Sequence, residues 1–175
     1  MLQFRLTQKV RQLFAFTDEM LSEPVAGDAF LGNWYADIIR IEQWDALLFM
    51  SEKTLLSFVL LDVRADHADK MANGFVNGLE HMLQEEKFAE RSIRRIFEGV
   101  DVMEITAVTD EGIASRMQRT GQQYGALAAQ AATLSNWDIL DVMKEVNRTA
   151  NEMLEGVSPL KATKRLLRNS DIELH

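Results

Sequence analysis

Two short polar clusters contain the side chains best suited to binding a small ligand. Arg5, Thr7 and Lys9 follow an alternating apolar segment, and Lys53 and Thr54 lie in a polar segment between two apolar runs. Binding groups are often mounted on turns of this kind. The two clusters therefore predict a polar pocket around Arg5, Lys9 and Lys53, with a hairpin turn and a helix cap as the alternative use of the same residues.

Three consecutive residues, Asn33, Trp34 and Tyr35, add an amide and two aromatic rings to these clusters. Such rings can stack on a ligand. Trp and Tyr are also common core residues whose polar tip finds a hydrogen-bond partner. We therefore predict that this segment either contacts a ligand or belongs to the core.

Residue types that carry catalysis are scarce in this sequence. The chain has no cysteine, and its histidines, His67, His81 and His175, lack the spacing of an HExxH zinc motif. The sequence also contains no phosphate loop, dinucleotide fingerprint or nucleophile elbow. It therefore predicts no catalytic residue, no metal site and no cofactor, and it favours a protein that is not an enzyme.

The balance of charge argues against nucleic acid as the main partner. Lys and Arg number 19 against 27 Asp and Glu, which gives a formal net charge of −8 at pH 7. Binding to a duplex requires clustered bases that offset the phosphate charge. Two basic clusters, at residues 87–95 and 161–168, leave a nucleic-acid-associated regulator as the weakest alternative.

The sequence gives no sign of a membrane segment. Its apolar runs are far shorter than the roughly 18 residues that a membrane helix requires. Arg5 and Lys9 interrupt the stretch where an export signal would place its apolar core. We therefore expect a cytoplasmic protein without a membrane partner.

The strands that must position these side chains are predicted from apolar alternation. Residues 1–6 alternate as a half-buried strand does. Apolar runs at 34–41, 46–50 and 55–60, separated by short polar segments, indicate a three-stranded antiparallel meander. A fifth strand is predicted at 101–108. The fold class is therefore α+β: a mainly antiparallel sheet of about five strands with helices packed on it and a helical C-terminal third.

Helices are predicted where apolar residues recur every three or four positions, at residues 68–86, 88–98, 112–134 and 160–168. A length of 175 residues is typical of one domain. We therefore predict a single α+β domain that spans the whole chain, with its last third, from residue 112 onward, built of helices.

Local signals refine these helices. Thr7 can cap a short helix after the first strand, and Ser158 with Pro159 can start the last helix. Gly74 and Gly78 lie four residues apart on one predicted helix, a spacing that brings both onto one face. Because glycine has no side chain, we expect this face to pack closely against a neighbouring element.

A stripe of six apolar residues follows a predicted helix cap at Asn136. The positions are spaced 4, 3, 4, 3 and 4 residues apart. They are Ile139, Met143, Val146, Ala150, Met153 and Val157. This spacing predicts one helix with a continuous seam, and apolar side chains of this size are rarely left in water. We predict that the seam is covered by a second copy in a homodimer or by another protein, with burial in the same chain as the alternative.

Several segments resemble a bacterial domain family of unknown function, some of whose relatives are associated with mobile elements. That family shares an LRLTQK start, a GNWYA segment and a strand that ends in N-E-x-T-L. The corresponding segments here are FRLTQKV at 4–10, LGNWYADI at 31–38 and LLFMSEKTLLSFVL at 47–60. The segment VNRTANEMLEGVSPLKATKRLL at 146–167 is similar to one in related uncharacterised proteins, which reads N-x-T-P, a spacer, then S-P and a Leu-rich helix. The resemblance implies one compact domain of bacterial origin, and it implies no catalytic residues.

Three functions are consistent with the sequence. The first is a non-catalytic interaction or regulatory module, because catalytic signatures are missing and the seam is suited to association. The second is a small-molecule-binding protein or enzyme with the polar pocket described above. The third is the nucleic-acid-associated regulator.

Overall fold

The computed structural model describes residues 1–134 and 137–173. The strands are β1 (Leu2–Leu6), β2 (Trp34–Ile41), β3 (Trp44–Ser51), β4 (Ser57–Leu61) and β5 (Met103–Ala107). The helices are α1 (Gln8–Leu13), α2 (Met71–Glu85), α3 (Glu90–Ile96), α4 (Glu111–Ala131), α5 (Ile139–Arg148) and α6 (Pro159–Glu173). Short 3-10 turns precede α2 and separate α5 from α6. The predicted α+β class is therefore confirmed, with a helical end that runs from residue 111.

The five strands form one sheet in the order β4-β3-β2-β1-β5. The predicted meander is confirmed, because β2, β3 and β4 pair antiparallel. The first strand is different: β1 lies between β2 and β5 and pairs parallel with both. The sheet is therefore mostly antiparallel, as predicted, but the parallel pairs on both sides of β1 were not predicted. Leu2, Gln3 and Phe4 are almost fully buried, as a strand in this position requires.

One face of the sheet is covered by α2 and is aromatic. The Phe75 ring of α2 lies with its centroid 4.9 Å from that of Phe4, 5.0 Å from that of Trp34 and 5.2 Å from that of Phe49. Edge-to-face contacts at these distances are favourable beyond the area that they bury. Burial of these rings anchors α2 to the centre of the sheet.

Two glycines let α2 approach this face closely. A Cβ atom on Gly74 would lie 2.9 Å from Leu60, and one on Gly78 would lie 2.8 Å from the ring of Phe58. These distances are shorter than van der Waals contact, so a side chain here would push the helix from β4. The close packing predicted from the glycine spacing is confirmed.

The opposite face is covered by α4 and α5, and polar groups make many of its contacts. Gly121 of α4 lies against Ile39 of β2. The Tyr124 hydroxyl and the Ser57 hydroxyl are hydrogen-bonded at 2.9 Å, and both residues are buried. At the end of α5, Nη1 and Nη2 of Arg148 donate to the buried carboxylate of Glu86, at 2.8 and 2.6 Å, and so join α5 to the C-terminal end of α2. The helices on this face are therefore fixed by directional bonds as well as by burial.

The long helix predicted for residues 139–157 is wrong beyond Arg148. The backbone is extended at Thr149, and the Asn151 side chain accepts a hydrogen bond from the Met153 amide, which starts a separate turn. An Asn side chain competes with helical backbone bonds in this way. Ala150, Met153 and Val157 therefore do not continue the stripe that begins at Ile139, Met143 and Val146. The proposed cap, Asn136, lies outside the described residues.

The first half of that seam is buried within the chain. Met143 and Val146 belong to the core, and Ile139 packs against it. The start of α6 agrees with its prediction: Pro159 is its first residue, and the Ser158 hydroxyl accepts a hydrogen bond from the Lys161 amide at 3.3 Å. In the part of the chain that the structure describes, no helix has the length and apolar character needed to cross a membrane.

Candidate functional site

The two polar clusters predicted from the sequence meet through a carboxylate that joins them. Arg5 Nη1 lies 3.0 Å from Glu52 Oε1 and donates to the Tyr35 hydroxyl at 3.3 Å. Arg5 Nη2 donates to the carbonyl oxygen of Val25, also at 3.3 Å. Burial raises the pKa of the Tyr35 hydroxyl, so this group is a neutral donor and acceptor at physiological pH. The positive charge of Arg5 is therefore already balanced by the Glu52 carboxylate.

A small cavity of about 110 Å³ lies beside Arg5 and Tyr35. Its other walls are Pro24 and the segment that leads from β5 to α4, including Asp110. Asp110 itself is occupied as the cap of α4, because its side chain accepts hydrogen bonds from the Gly112 and Ile113 amides. The volume is sufficient for a few waters and too small for most metabolites.

The other residues of the predicted pocket have separate places. Thr7 stands at the cap position of α1, but its hydroxyl donates to Asp37 at 2.7 Å instead of bonding to the helix. Lys9 is exposed on α1. Lys53 donates to the carbonyl oxygen of Phe30 at 3.2 Å, and Thr54 is buried in a hydroxyl network with Thr163.

Asn33 and Trp34 belong to the interior. The Asn33 side chain accepts from the Gln3 amide at 2.9 Å and donates to the Val25 carbonyl at 2.8 Å, so it ties the preceding loop to β1. Trp34 is part of the aromatic face. Of the two uses predicted for this segment, the structure shows the core position for both residues.

A larger cavity, which the sequence did not predict, lies between α4, the start of β4 and the segment that follows α5. Its volume is about 270 Å³. We call it the arginine pocket. Its polar lining residues are Ser57, Arg116, Arg119, Thr120, Gln123, Thr149, Asn151 and Glu152. Four of them, from Arg116 to Gln123, come from one face of α4, where residues three, four and seven positions apart are neighbours.

The floor of the arginine pocket is held by hydrogen bonds that fix α5 to β4. The Asn147 amide accepts from the Ser57 backbone N–H at 2.9 Å and donates to the Ser57 carbonyl at 2.8 Å. At this edge of the sheet the Asn147 side chain makes the two hydrogen bonds to β4 that a neighbouring strand would otherwise make. Burial raises the pKa of Tyr124, which is bonded to the Ser57 hydroxyl, and keeps its phenol protonated. Ser57 is therefore held from three directions in a neutral environment.

The two arginines of this pocket form no ion pair within the described residues, although Glu152 also lines the cavity. In the same part of the chain seven other arginines form ion pairs: Arg5, Arg40, Arg64, Arg91, Arg94, Arg95 and Arg148. Among residues 1–134 and 137–173, no carboxylate oxygen lies within 4.0 Å of the Arg116 or Arg119 guanidinium. Arg116 Nε instead contacts the Met153 sulfur at 3.0 Å, a weak acceptor that leaves its positive charge unbalanced.

One wall of the pocket is a short closed loop. The Asn151 backbone N–H donates to the Val157 carbonyl at 3.1 Å, so the segment between these two residues folds back on itself. Glu155 and Gly156, which make this reversal, both have positive φ, at 54° and 80°. Met153 at the tip of this loop reaches Arg116 of α4. The loop thereby brings Asn151 and Glu152 to the mouth of the pocket.

The sequence did contain one signal of this pocket. The apolar stripe predicted on α4 includes Met117 and Tyr124, and both are buried. Arg116 and Gln123 directly precede Met117 and Tyr124, and Thr120 lies between them on the same side of the helix, so the three residues border its core face. A polar row in that position indicates a boundary between core and cavity, but the sequence alone does not show what lies opposite.

Fold and pocket together define a mixed α+β structure in which a cavity lined by Arg116 and Arg119 is built on one face of the sheet. Residues 3–162 match a family described as a domain of unknown function, DUF6933, and the chain belongs to that family. The match includes every lining residue of the arginine pocket. It confirms the predicted relation to an uncharacterised domain family. A search of curated proteins gives no match.

Proposed function

We propose that this chain is a small-molecule-binding module whose ligand presents a phosphate or carboxylate group to Arg116 and Arg119. The observation that carries the proposal is that two guanidinium groups line one cavity and that, among residues 1–134 and 137–173, no carboxylate oxygen lies within 4.0 Å of either. Guanidinium groups offer paired N–H donors that match the geometry of these oxyanions. The Arg5 cluster is a weaker candidate, because Glu52 already neutralises its cation.

The rest of the pocket suits the remainder of such a ligand. Thr120, Gln123 and Asn151 supply neutral donors and acceptors, and Leu55 and Pro159 supply an apolar wall. Glu152 at the mouth can accept a hydrogen bond from an amine or hydroxyl. Because the cavity of about 270 Å³ is close to the lower limit for ligand sites, we expect a compact metabolite rather than a dinucleotide.

The wider context proposed here is a regulatory module of the bacterial cytoplasm. The similarity of residues 4–10, 31–38 and 47–60 to a bacterial family supports the origin, and a chain without cysteine suits a reducing compartment.

Thermal unfolding in a panel of compact anions tests the proposal. Inorganic phosphate, sulfate and small phosphorylated or carboxylated metabolites are added to the full chain, and the midpoint temperature is measured. A ligand present at about one hundred times its dissociation constant stabilises the folded state by about 2.7 kcal/mol. We expect at least one anion to raise the midpoint.

Matched variants locate the binding site. Arg116→Ala and Arg119→Ala should each abolish the stabilisation, because they remove the cations of the pocket. Arg40→Ala removes a cation that is paired with Asp45 elsewhere on the surface, and it should bind as the parent does. Stabilisation that survives both pocket variants, or no stabilisation by any anion, overturns the proposal. Mass spectrometry of the bound anion after incubation shows whether it is returned unchanged, as binding without catalysis requires.

A further inference from the structure

Two charged stripes of opposite sign lie on the exposed faces of α5 and α6. The acidic stripe consists of Asp141 and Glu145 of α5 with Asp138, the cap residue before the helix, whose side chain accepts a hydrogen bond from the Leu140 backbone N–H at 3.0 Å. The basic stripe consists of Lys161, Arg165 and Arg168. All six side chains belong to exposed residues. Within the described ranges, 1–134 and 137–173, none of the six forms an ion pair inside the chain.

The two stripes have the same spacing when the acidic stripe is taken from its C-terminal end and the basic stripe from its N-terminal end. From Glu145 the acids recur after four and then three residues, at Asp141 and Asp138. From Lys161 the bases also recur after four and then three residues, at Arg165 and Arg168. Each stripe spans seven residues, which is about 10 Å along a helix. Two helices that meet antiparallel therefore place every acid opposite a base.

Apolar groups extend the match at one end. The acidic stripe borders a groove of about 470 Å³ whose floor includes Leu127 and Val142. At the start of α5 this groove is lined by Trp137 and by Leu134, which is 66% exposed. The basic stripe continues on α6 to Ile172, which is 73% exposed. In the antiparallel arrangement, Ile172 follows Arg168 toward the end of the groove where these apolar side chains lie.

We propose that the acidic groove of α5 binds the basic stripe of α6 from a second copy of this chain. Charge complementarity identifies the occupant: the groove has three carboxylates on its border and no lysine or arginine in its lining. The chain itself carries a helix with matching bases, matching spacing and an exposed apolar end. Because α5 and α6 pack against each other in one chain, a twofold pair can form the same contact twice.

This surface differs from the seam predicted from the sequence. Met143 and Val146 of that seam are buried inside the chain, whereas Asp141 and Glu145 lie on the exposed side of the same helix. It is also independent of the arginine pocket, since none of the six stripe residues lines that cavity.

Sedimentation velocity of the full chain tests the proposal. We expect the mass to rise from 19.9 kDa toward twice that value as concentration increases at low salt. Between about 0.1 M and about 1 M salt the Debye length falls from about 10 Å to about 3 Å, so association should weaken over this range. A chain that stays monomeric at high concentration and low salt overturns the proposal.

Charge reversal identifies the contact. Asp141→Arg and Arg165→Asp should each weaken self-association by about tenfold or more, because each places like charges together. An equimolar mixture of the two variants restores both contacts of a twofold pair, since Arg at 141 then meets Asp at 165 and the parental pair meets in the other contact. We expect the mixture to associate about as tightly as the parent.

Two controls keep this test decisive. Glu80→Arg and Lys9→Asp reverse exposed charges on α2 and α1, outside both stripes, and should leave association unchanged. Circular dichroism of each variant confirms that it is folded before mixing. Association that survives Asp141→Arg, or a mixture that stays as weak as its components, overturns the proposed contact and leaves a foreign basic segment or no occupant for the groove.

Discussion

The two faces of the sheet are packed by different kinds of interaction. On the α2 face, four rings of the strands surround Phe75, and the contacts are apolar, three of them edge-to-face. On the α4 and α5 face, buried hydroxyls and amides of Ser57, Tyr124 and Asn147 form hydrogen bonds. The arginine pocket is on the second face. Burial of aromatic rings therefore holds the α2 face together, while hydrogen bonds on the other face set the shape of a cavity.

The largest expected effect is on the aromatic face. Phe75→Ala removes the ring that four others contact, and it should lower the free energy of unfolding by about 3 to 5 kcal/mol because it leaves a cavity. Urea denaturation measures this loss. Val76→Ala, a change at a less buried position of the same helix, should cost far less. Equal losses in the two variants would contradict the central role of Phe75.

A second variant addresses the polar face. Asn147→Ala removes both side-chain bonds to the Ser57 backbone and leaves a buried N–H and C=O without partners, so we expect a loss of about 2 to 3 kcal/mol. The floor of the arginine pocket loses its support, and anion binding should weaken as well. Asn169→Ala, on the exposed side of α6, is the matched control. If Asn147→Ala and Asn169→Ala lower the free energy of unfolding by the same amount, the hydrogen bonds of Asn147 do not stabilise this face.

Gly78 of α2 and Gly125 of α4 differ in how closely their helices approach the sheet. Gly78→Ala would place a methyl group 2.8 Å from the Phe58 ring, and we expect it to destabilise the fold by about 1 to 3 kcal/mol. Gly125→Ala places a methyl group 3.5 Å from the Arg40 carbonyl, an ordinary contact, so the higher helix propensity of Ala should stabilise it by up to about 1 kcal/mol. Denaturation midpoints that shift in the same direction for both variants would contradict this account.

The smallest expected effect concerns one phenol and its dependence on pH. Tyr124→Phe removes the bond to Ser57 and should cost about 1 kcal/mol at neutral pH. Burial raises the Tyr124 pKa above its unfolded value of 10.0, so the folded state favours the protonated form. This stability is fully present below pH 10 and is lost as the pH rises toward the folded pKa. Unfolding measured from pH 8 to pH 11 should therefore show a steeper decline for the parent than for Tyr124→Phe.

The meander could be predicted because its signal is local. Apolar runs with short polar connections determine strand pairing between neighbours in sequence, and β2 begins and ends where the pattern does. The position of β1 could not be predicted this way. Its alternation predicted a half-buried strand, whereas Gln3 is as fully buried as Leu2 and Phe4, because β1 lies inside the sheet. The parallel partners of Leu2–Leu6 are separated from it by tens of residues.

In the candidate site too, features set by neighbouring residues could be predicted, and features set by distant segments could not. The Arg5 and Glu52 pair follows from the pairing of strands, and turn residues such as Lys53 were predicted as binding groups because they were polar. The arginine pocket depends on where α4 lies relative to the segment after α5, and that placement depends on the end of α5 at Arg148. Heptad spacing predicted a longer helix, which would have removed the loop that forms one wall.

The parallel position of β1 has a consequence for how this chain acquires its structure during synthesis. The β1 strand is flanked by β2 and by β5, and β5 begins only at Met103, about one hundred residues further along the chain. Closing a connection of that length carries an entropic cost before any contact forms, and such distant pairing slows folding. Until Met103–Ala107 is available, one edge of Leu2–Leu6 lacks its partner. We therefore expect refolding in which the α2 face forms first and the β1 and β5 pairing closes last.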